Sequence, residues 1–178
     1  PDIPVVPGAH RPLVREGYQP ATFVHGEDGL GDAGLPSPSH PPLAGVHAAN
    51  WIVEQIRARP GELTLVPIGP LTNIALALHL DPGIVELVRE VVIMGGAVRM
   101  PGNVTPAAEA NIWNDPHAAD QVLGAGWPVT LLGLDVTSRL AADRTWLDQV
   151  AALDAPAARL VTDTAPADVI DLTRRAHH

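Results

Sequence analysis

Asn103, Glu109 and Asn111 lie in one polar stretch, Gly102-Asn103-Val104-Thr105-Pro106-Ala107-Ala108-Glu109-Ala110-Asn111-Ile112, shortly after the apolar run Val91-Val92-Ile93-Met94-Gly95-Gly96. Two amides and a carboxylate supply both hydrogen-bond acceptors and donors, which is what gripping vicinal hydroxyls requires. If the stretch is extended, Glu109 and Asn111 stand at i and i+2 and point to the same side. They would then converge on a single small polar ligand. The same residues also suit a loop lying in water, and the stretch alone leaves both open.

The elements that must position these residues alternate along the chain. Ile3 to Val6 is a short, strand-like apolar run stopped by Pro7-Gly8. Residues 24 to 42 are rich in Gly, Pro, Ser, Asp and His and read as a long loop, a length more often functional than incidental. Val46, Ala49, Val53 and Ile56 recur at helical spacing, and Pro60-Gly61 ends that helix. Leu63 to Ile68 is strand-like, and a turn leads to the helical Ile74 to Leu80. Asp81-Pro82 and Asp115-Pro116 each read as an N-cap with Pro at the first helical position, and as nothing more. Val91 to Met94 and Val129 to Leu134 are strands apolar on both faces. Such strands alternating with helices predict an α/β fold, an open and mostly parallel sheet with helices on both faces.

Three of these strands run straight into polar or glycine-rich residues: Gly69 to Asn73, Met94 to Gly96, and Asp135 to Thr137. Ligands of open α/β sheets bind outside the carboxyl ends of the strands. A pocket is therefore expected there, shared with the loop that carries Asn103 to Asn111.

Composition narrows the chemistry. The chain has 178 residues, 46% hydrophobic and 17% charged, enough for one globular domain spanning 1–178 with a real core. A net charge of −9 without a single Lys argues against nucleic acid and anionic membranes as partners. The absence of Cys excludes disulfides, thiolate metal sites and a cysteine nucleophile. The longest apolar runs fall far short of a membrane span. No signal peptide is visible, which says little for a chain that opens without Met; a cytoplasmic location is the expectation. The lysine-free, Ala/Arg-rich composition suggests a bacterial source. The chain opens at Pro1 without Met and reads as a piece of something longer.

No Gly-x-Gly-x-x-Gly follows a strand, and a phosphate-binding Gly-x4-Gly-Lys loop is impossible without Lys. There is no Gly-x-Ser-x-Gly elbow and no His-Glu-x-x-His. What remains is oxygen chemistry from Asp, Glu, Asn, Thr and carbonyls, suited to a sugar or to a hard cation such as calcium.

In chain order there follow His25-Gly26-Glu27-Asp28-Gly29-Leu30-Gly31, Gly69-Pro70-Leu71-Thr72-Asn73-Ile74-Ala75, Met94-Gly95-Gly96-Ala97, Gly102-Asn103, Glu109-x-Asn111 with Asp115-Pro116, and Leu134-Asp135-Val136-Thr137. Each motif is weak alone. Together, over residues 3 to about 140, the chain resembles the inosine–uridine preferring nucleoside hydrolase family.

The resemblance implies a Rossmann-like nucleoside hydrolase architecture, truncated at both ends, that acts on the N-ribosidic bond of purine or pyrimidine ribonucleosides. It implies ribose contacts from Met94, Asn103, Glu109 and Asn111, a substrate neighbour in His25, and a calcium ligand in the backbone carbonyl of Thr72. It further implies nucleoside salvage and a homo-oligomer in the complete protein. The residue between Glu109 and Asn111 is usually aromatic in the family and is Ala110 here, which removes bulk beside the sugar.

Two departures are larger. The family's opening Asp-Thr-Asp-x-Gly-x-Asp-Asp motif, the source of most calcium carboxylates and of the general base, is absent from these residues, as is its late His-Asp pair. No catalytic residue is therefore assigned within the chain. Two functional classes stay open: a nucleoside N-ribohydrolase of which this is the middle portion, and a non-catalytic ribose- or nucleoside-binding fragment or pseudoenzyme. A general sugar-binding α/β domain is a third. Glu27, Asp28 and Asp32 suit an exposed acid–Gly turn better than a metal loop. Asp135 suits either catalysis or the fixing of a neighbouring loop, and Trp113 and Trp127 suit packing.

Overall fold

The computed structural model describes residues 3–16, 22–38, 40–140, 144–153 and 155–164. The chain divides into two compact units, where the sequence reads as one domain. The first comprises Pro1–Tyr18 and Ser39–Thr137, the second Gln19–Pro38 and Ser138–His178.

The first unit is built on a three-stranded parallel sheet in the order β1-β2-β3, with β1 Thr64–Leu65, β2 Glu90–Met94 and β3 Val129–Leu132. Its helices are α2 Ala48–Ala58, α3 Thr72–Leu80, α4 Ala110–Asn114, α5 Pro116–Leu123 and α6 Leu134–Thr137. A 3₁₀ turn, Pro82–Glu86, joins α3 to β2. The expected α/β class and open parallel sheet are what the structure shows.

Local chemistry explains the boundaries. His47 accepts the Ala49 N–H through Nδ1 and starts α2. Gly61, at φ +74° in the left-handed region, stands just beyond its end. Asp81 caps the 3₁₀ turn by accepting from Gly83 N. The expected strand Leu63 to Ile68 shrinks to two paired residues. Pro67 has no N–H to give to a ladder and contributes only its carbonyl, which accepts from Met94 N at 3.0 Å. Ile3 to Val6 is not a strand either. Pro4 and Pro7 lack donors, and the segment is held by single bonds from Leu43 N to the Val5 carbonyl and from Ala48 N to the Pro7 carbonyl.

The core lies on one face of the sheet. Val91 and Ile93 are fully buried, and their register partners Val129 and Leu131 pack against the same cluster, with Ile56, Ile74 and Val122 from the helices. On the opposite face Glu90, Val92 and Met94 are half-buried and Thr130 and Leu132 exposed. The polar Thr64, Glu90 and Thr130 all stand on that less buried face, so the strands alternate rather than being apolar on both sides.

The second unit contains α1 Thr22–His25, α7 Arg144–Ala151 and α8 Pro156–Thr164, with α7 and α8 packed together. Between α1 and Pro38 runs an acid–Gly turn. Asp32 Oδ1 accepts from Glu27 N and Asp28 N, and Asp28 Oδ1 accepts from Leu30 N and Asp32 N. Those N–H groups, Leu30 first, hold the Asp28 carboxyl below its ordinary value. These carboxylates close a turn rather than a metal loop. The pair His177-His178 lies outside the described residues. No described helix is long and apolar enough to cross a membrane.

Candidate functional site

The site grows from the carboxyl end of β2. After Met94 the chain turns through Gly95 and Gly96, and Gly96 has φ +83°, which a side chain would strain. The Gly96 N–H donates to Glu109 Oε2 at 2.8 Å, and its carbonyl accepts from Leu134 N at 2.8 Å. Glu109 is also the N-cap of α4, where the same Oε2 accepts from Ile112 N at 3.2 Å. One carboxylate oxygen thus binds the strand end to the helix start. The residue is only 2% exposed, and no hydrogen bond engages Oε1 among the described residues.

The convergence of Glu109 and Asn111 has a different origin from the one their spacing suggests. Glu109 is extended at φ −82° and ψ 153°, but α4 begins at Ala110, so Asn111 is helical and the i, i+2 rule for strands does not apply. What brings the two together is the short helix sitting on the end of β2. Asn111 Nδ2 donates to the Met94 carbonyl at 3.1 Å, lies 3.3 Å from Met94 Sδ and reaches the Ile68 carbonyl at 3.4 Å. With its amide nitrogen so occupied, Asn111 has Oδ1 left over.

Asn103 completes the group from the loop. Its Oδ1 accepts from Ala110 N, adding a second cap to α4, and its Nδ2 is left over in an exposed position. That loop is closed by its own backbone. Gly102 N donates to the Pro106 carbonyl and Val104 N to the Ala108 carbonyl. A Cβ on Gly102 would stand 2.2 Å from the Ala108 carbonyl oxygen, so only Gly fits. At the base of the loop the Asp135 carboxylate accepts from Val98 N and Arg99 N, both at 2.8 Å. Of the two roles open to Asp135, the fixing of a neighbouring loop is the one seen.

Met94, Asn103, Glu109 and Asn111 are thus joined by hydrogen bonds at the carboxyl edge. Glu109 Oε1, Asn111 Oδ1 and Asn103 Nδ2 have no hydrogen-bond partner among the described residues, the other polar atom of each side chain being engaged. Thr72 lies on the same edge, but beneath. It is 7% exposed, and its hydroxyl donates to Asp115 Oδ2 at 2.6 Å. As the first residue of α3, its carbonyl is the acceptor for the N–H four residues on. The carbonyl that reaches the polar group is that of Ile68, which sequence reasoning passed over because a backbone oxygen carries no residue signature.

The sequence profile described as inosine-uridine preferring nucleoside hydrolase matches residues 1–177. The chain belongs to that family. The pyrimidine-specific ribonucleoside hydrolase RihA of Shewanella woodyi is 45% identical over 162 residues, covering 91% of this chain and 51% of that protein. Uridine nucleosidase 1 of Arabidopsis thaliana is 45% identical over 140 residues, 79% of this chain and 41% of the relative. The solved structure of a plant nucleoside hydrolase superposes with a TM-score of 0.88 at 32% identity, covering 98% of this chain and 54% of that one. The chain spans about half the length of the curated relatives it matches.

The nucleoside hydrolase resemblance implies calcium, and the described residues do not suit it. No group of three or more His, Asp or Glu able to hold a metal occurs among them. The acids near this edge are also committed to the protein itself. Asp115 serves Leu13 N, Thr72 Oγ1 and Ala118 N; Asp135 serves the loop; Glu109 caps α4. His25 belongs to the second unit, where it is exposed at the end of α1 and its carbonyl accepts from Gly31 N at 2.7 Å. A groove of about 440 Å³ lies at the far end of α3, lined by Leu78, His79, Val85, Glu86 and Gln121 among others, and it contains none of the expected site residues.

Proposed function

We propose that this chain supplies the ribose-holding edge of an enzyme that hydrolyses the N-ribosidic bond of nucleosides, giving free base and ribose. The observation that carries the proposal is the leftover valence of three fixed side chains. Each hydroxyl of a vicinal diol donates one hydrogen bond and accepts others. Glu109 Oε1 and Asn111 Oδ1 are acceptors for two such donors, and Asn103 Nδ2 donates back. The remaining atoms of all three side chains are tied to backbone groups, so the grip is formed before ligand arrives and little ordering is left to be done on binding.

Cleavage of a glycosidic bond passes through an oxocarbenium-like state, in which contacts to ring hydroxyls strengthen. The negative charge of Glu109 beside the sugar favours that cationic state over the neutral substrate. The activities for which the relatives are named favour hydrolysis over the non-catalytic alternative, and uridine is the first substrate to try.

Saturation-transfer NMR of uridine with the 178-residue chain tests the proposal. The ribose protons should receive saturation more strongly than the uracil protons, and Glu109→Gln should abolish it. Transfer dominated by the base, or none at all, would sink the ribose assignment.

A further inference from the structure

We propose that the Thr72 hydroxyl and the Asp115 carboxylate form a positioning pair that sets the width of the sugar grip without touching the sugar. The proposal rests on the ribose-holding role given above. As the cap of α5, Asp115 needs only the bond that Oδ1 accepts from Ala118 N. It accepts two more on Oδ2, from Leu13 N and Thr72 Oγ1, donors 102 and 43 residues distant in sequence. The residue is completely buried, and all three partners are neutral. A buried carboxylate is costly unless its oxygens are satisfied, so this geometry is held tightly.

The location of the bond gives it its consequence. Thr72 opens α3 at the end of the turn that starts at Ile68, and Asp115 follows immediately on α4, which carries Asn111. The gap between that turn and α4 is bridged twice. At the surface, Asn111 Nδ2 reaches the Ile68 carbonyl at 3.4 Å, near the outer limit for a hydrogen bond. Beneath, the Thr72–Asp115 bond is 2.6 Å long and buried. The short buried bond sets the spacing, and the long exposed one follows it. Helix α4 has five residues, too few to hold a position by itself, and is fixed at its start by Glu109 and Asn103 and at its end by Asp115.

The test compares Thr72→Val, which keeps the shape and loses the hydroxyl, with Thr72→Ser, which keeps the hydroxyl. The readings are the Asn111 side-chain amide signals in ¹H–¹⁵N spectra, the uridine dissociation constant and the unfolding temperature. In Thr72→Val the Asn111 amide signals should move and uridine binding weaken about tenfold, while Thr72→Ser should match the parent in both. If Thr72→Val does not fold, Thr72→Ala, which leaves room for a bridging water, is read in the same way. Unmoved Asn111 signals with unchanged uridine affinity in a folded variant would overturn the pairing, whatever happens to the unfolding temperature. If the parent chain leaves uridine unbound, the ribose assignment fails, and the Asn111 signals still decide the positioning role.

Discussion

Glu109 divides its carboxylate between two duties, and substitution can separate them. Oε2 satisfies the N–H groups of Gly96 and Ile112, while Oε1 is the oxygen that the proposed function gives to the ligand. In Glu109→Gln the amide oxygen can take over the two N–H groups, which places an N–H₂ where the acceptor was. The fold should survive, with an unfolding temperature close to the parent, while uridine binding falls by about tenfold or more, because a charged acceptor is replaced by a neutral donor. Glu109→Ala should behave differently. It leaves the buried Gly96 N–H unpaired and removes a helix cap, a loss of about 1–3 kcal/mol of stability. Equal effects of the two variants on unfolding temperature would show that the two duties are not separate. The residues proposed for this grip stand out in the sequence, because Asn and Glu next to a glycine-marked strand end suit a sugar diol. Their sharing between backbone and ligand was not, since it depends on where α4 begins. Asp115 shows the opposite failure, reading as a plain cap because the two donors that make it a hub come from distant parts of the chain.

The loop that carries Asn103 stands on Asp135, and its order should depend on that carboxylate. Asp135→Ala frees the Val98 and Arg99 N–H groups, so their amide exchange should rise well above the parent rate while that of Val91 and Ile93 in β2 stays slow. Unchanged exchange at Val98 and Arg99 would contradict the clamp. A second element-scale prediction concerns α2 and the 3₁₀ turn, joined by the ion pair of Arg57 with Asp81. The hydrogen bond from Arg57 holds the Asp81 carboxyl below its ordinary value of 3.8, assisted by Gly83 N. A depressed carboxylate contributes stability that is present above its ordinary value and lost as pH falls through the lower folded value. The unfolding temperature of Asp81→Asn should therefore lie below the parent at pH 6, with the difference closing below about pH 4. A difference that persists unchanged to the lowest pH would remove the pair from the stability of the fold. At this scale α2, α3, α5 and the Asp-Pro caps were legible, because Asp-Pro and Pro-Gly act locally, whereas the short α4 was read as a loop or an extended stretch. Strand length was not. Pro67 cuts β1 to two residues, and Pro4 and Pro7 deny Ile3 to Val6 a ladder that its apolar character invites.

On the proposed reading, the ribose grip and the hydrolytic chemistry come from separate sets of residues across the whole molecule. Leu132 on the less buried face of the sheet, 38% exposed, and the more exposed Val98 and Ile68 beyond the strand ends give the chain apolar surface near the carboxyl edge. Such surface favours self-association, and sedimentation should find species larger than the monomer; a strict monomer at high concentration would refute this. Activity follows from the acid inventory. Every described carboxylate at the carboxyl edge is spent on protein N–H or O–H groups except Glu109 Oε1, and the family's Asp-rich motif is not in the sequence. A general base is worth about 10²–10⁴-fold, and a metal-activated water several kcal/mol beyond that. The 178-residue chain should hence hold ribose yet release little or no base from uridine or inosine, and added calcium should not change the rate. Chromatographic quantification of free uracil, with and without calcium and after chelation, measures this directly. Calcium-dependent turnover by the isolated chain, lost in Glu109→Gln, would mean that the catalytic groups do lie among these residues and that Glu109 Oε1 acts on water or metal rather than on a ribose hydroxyl.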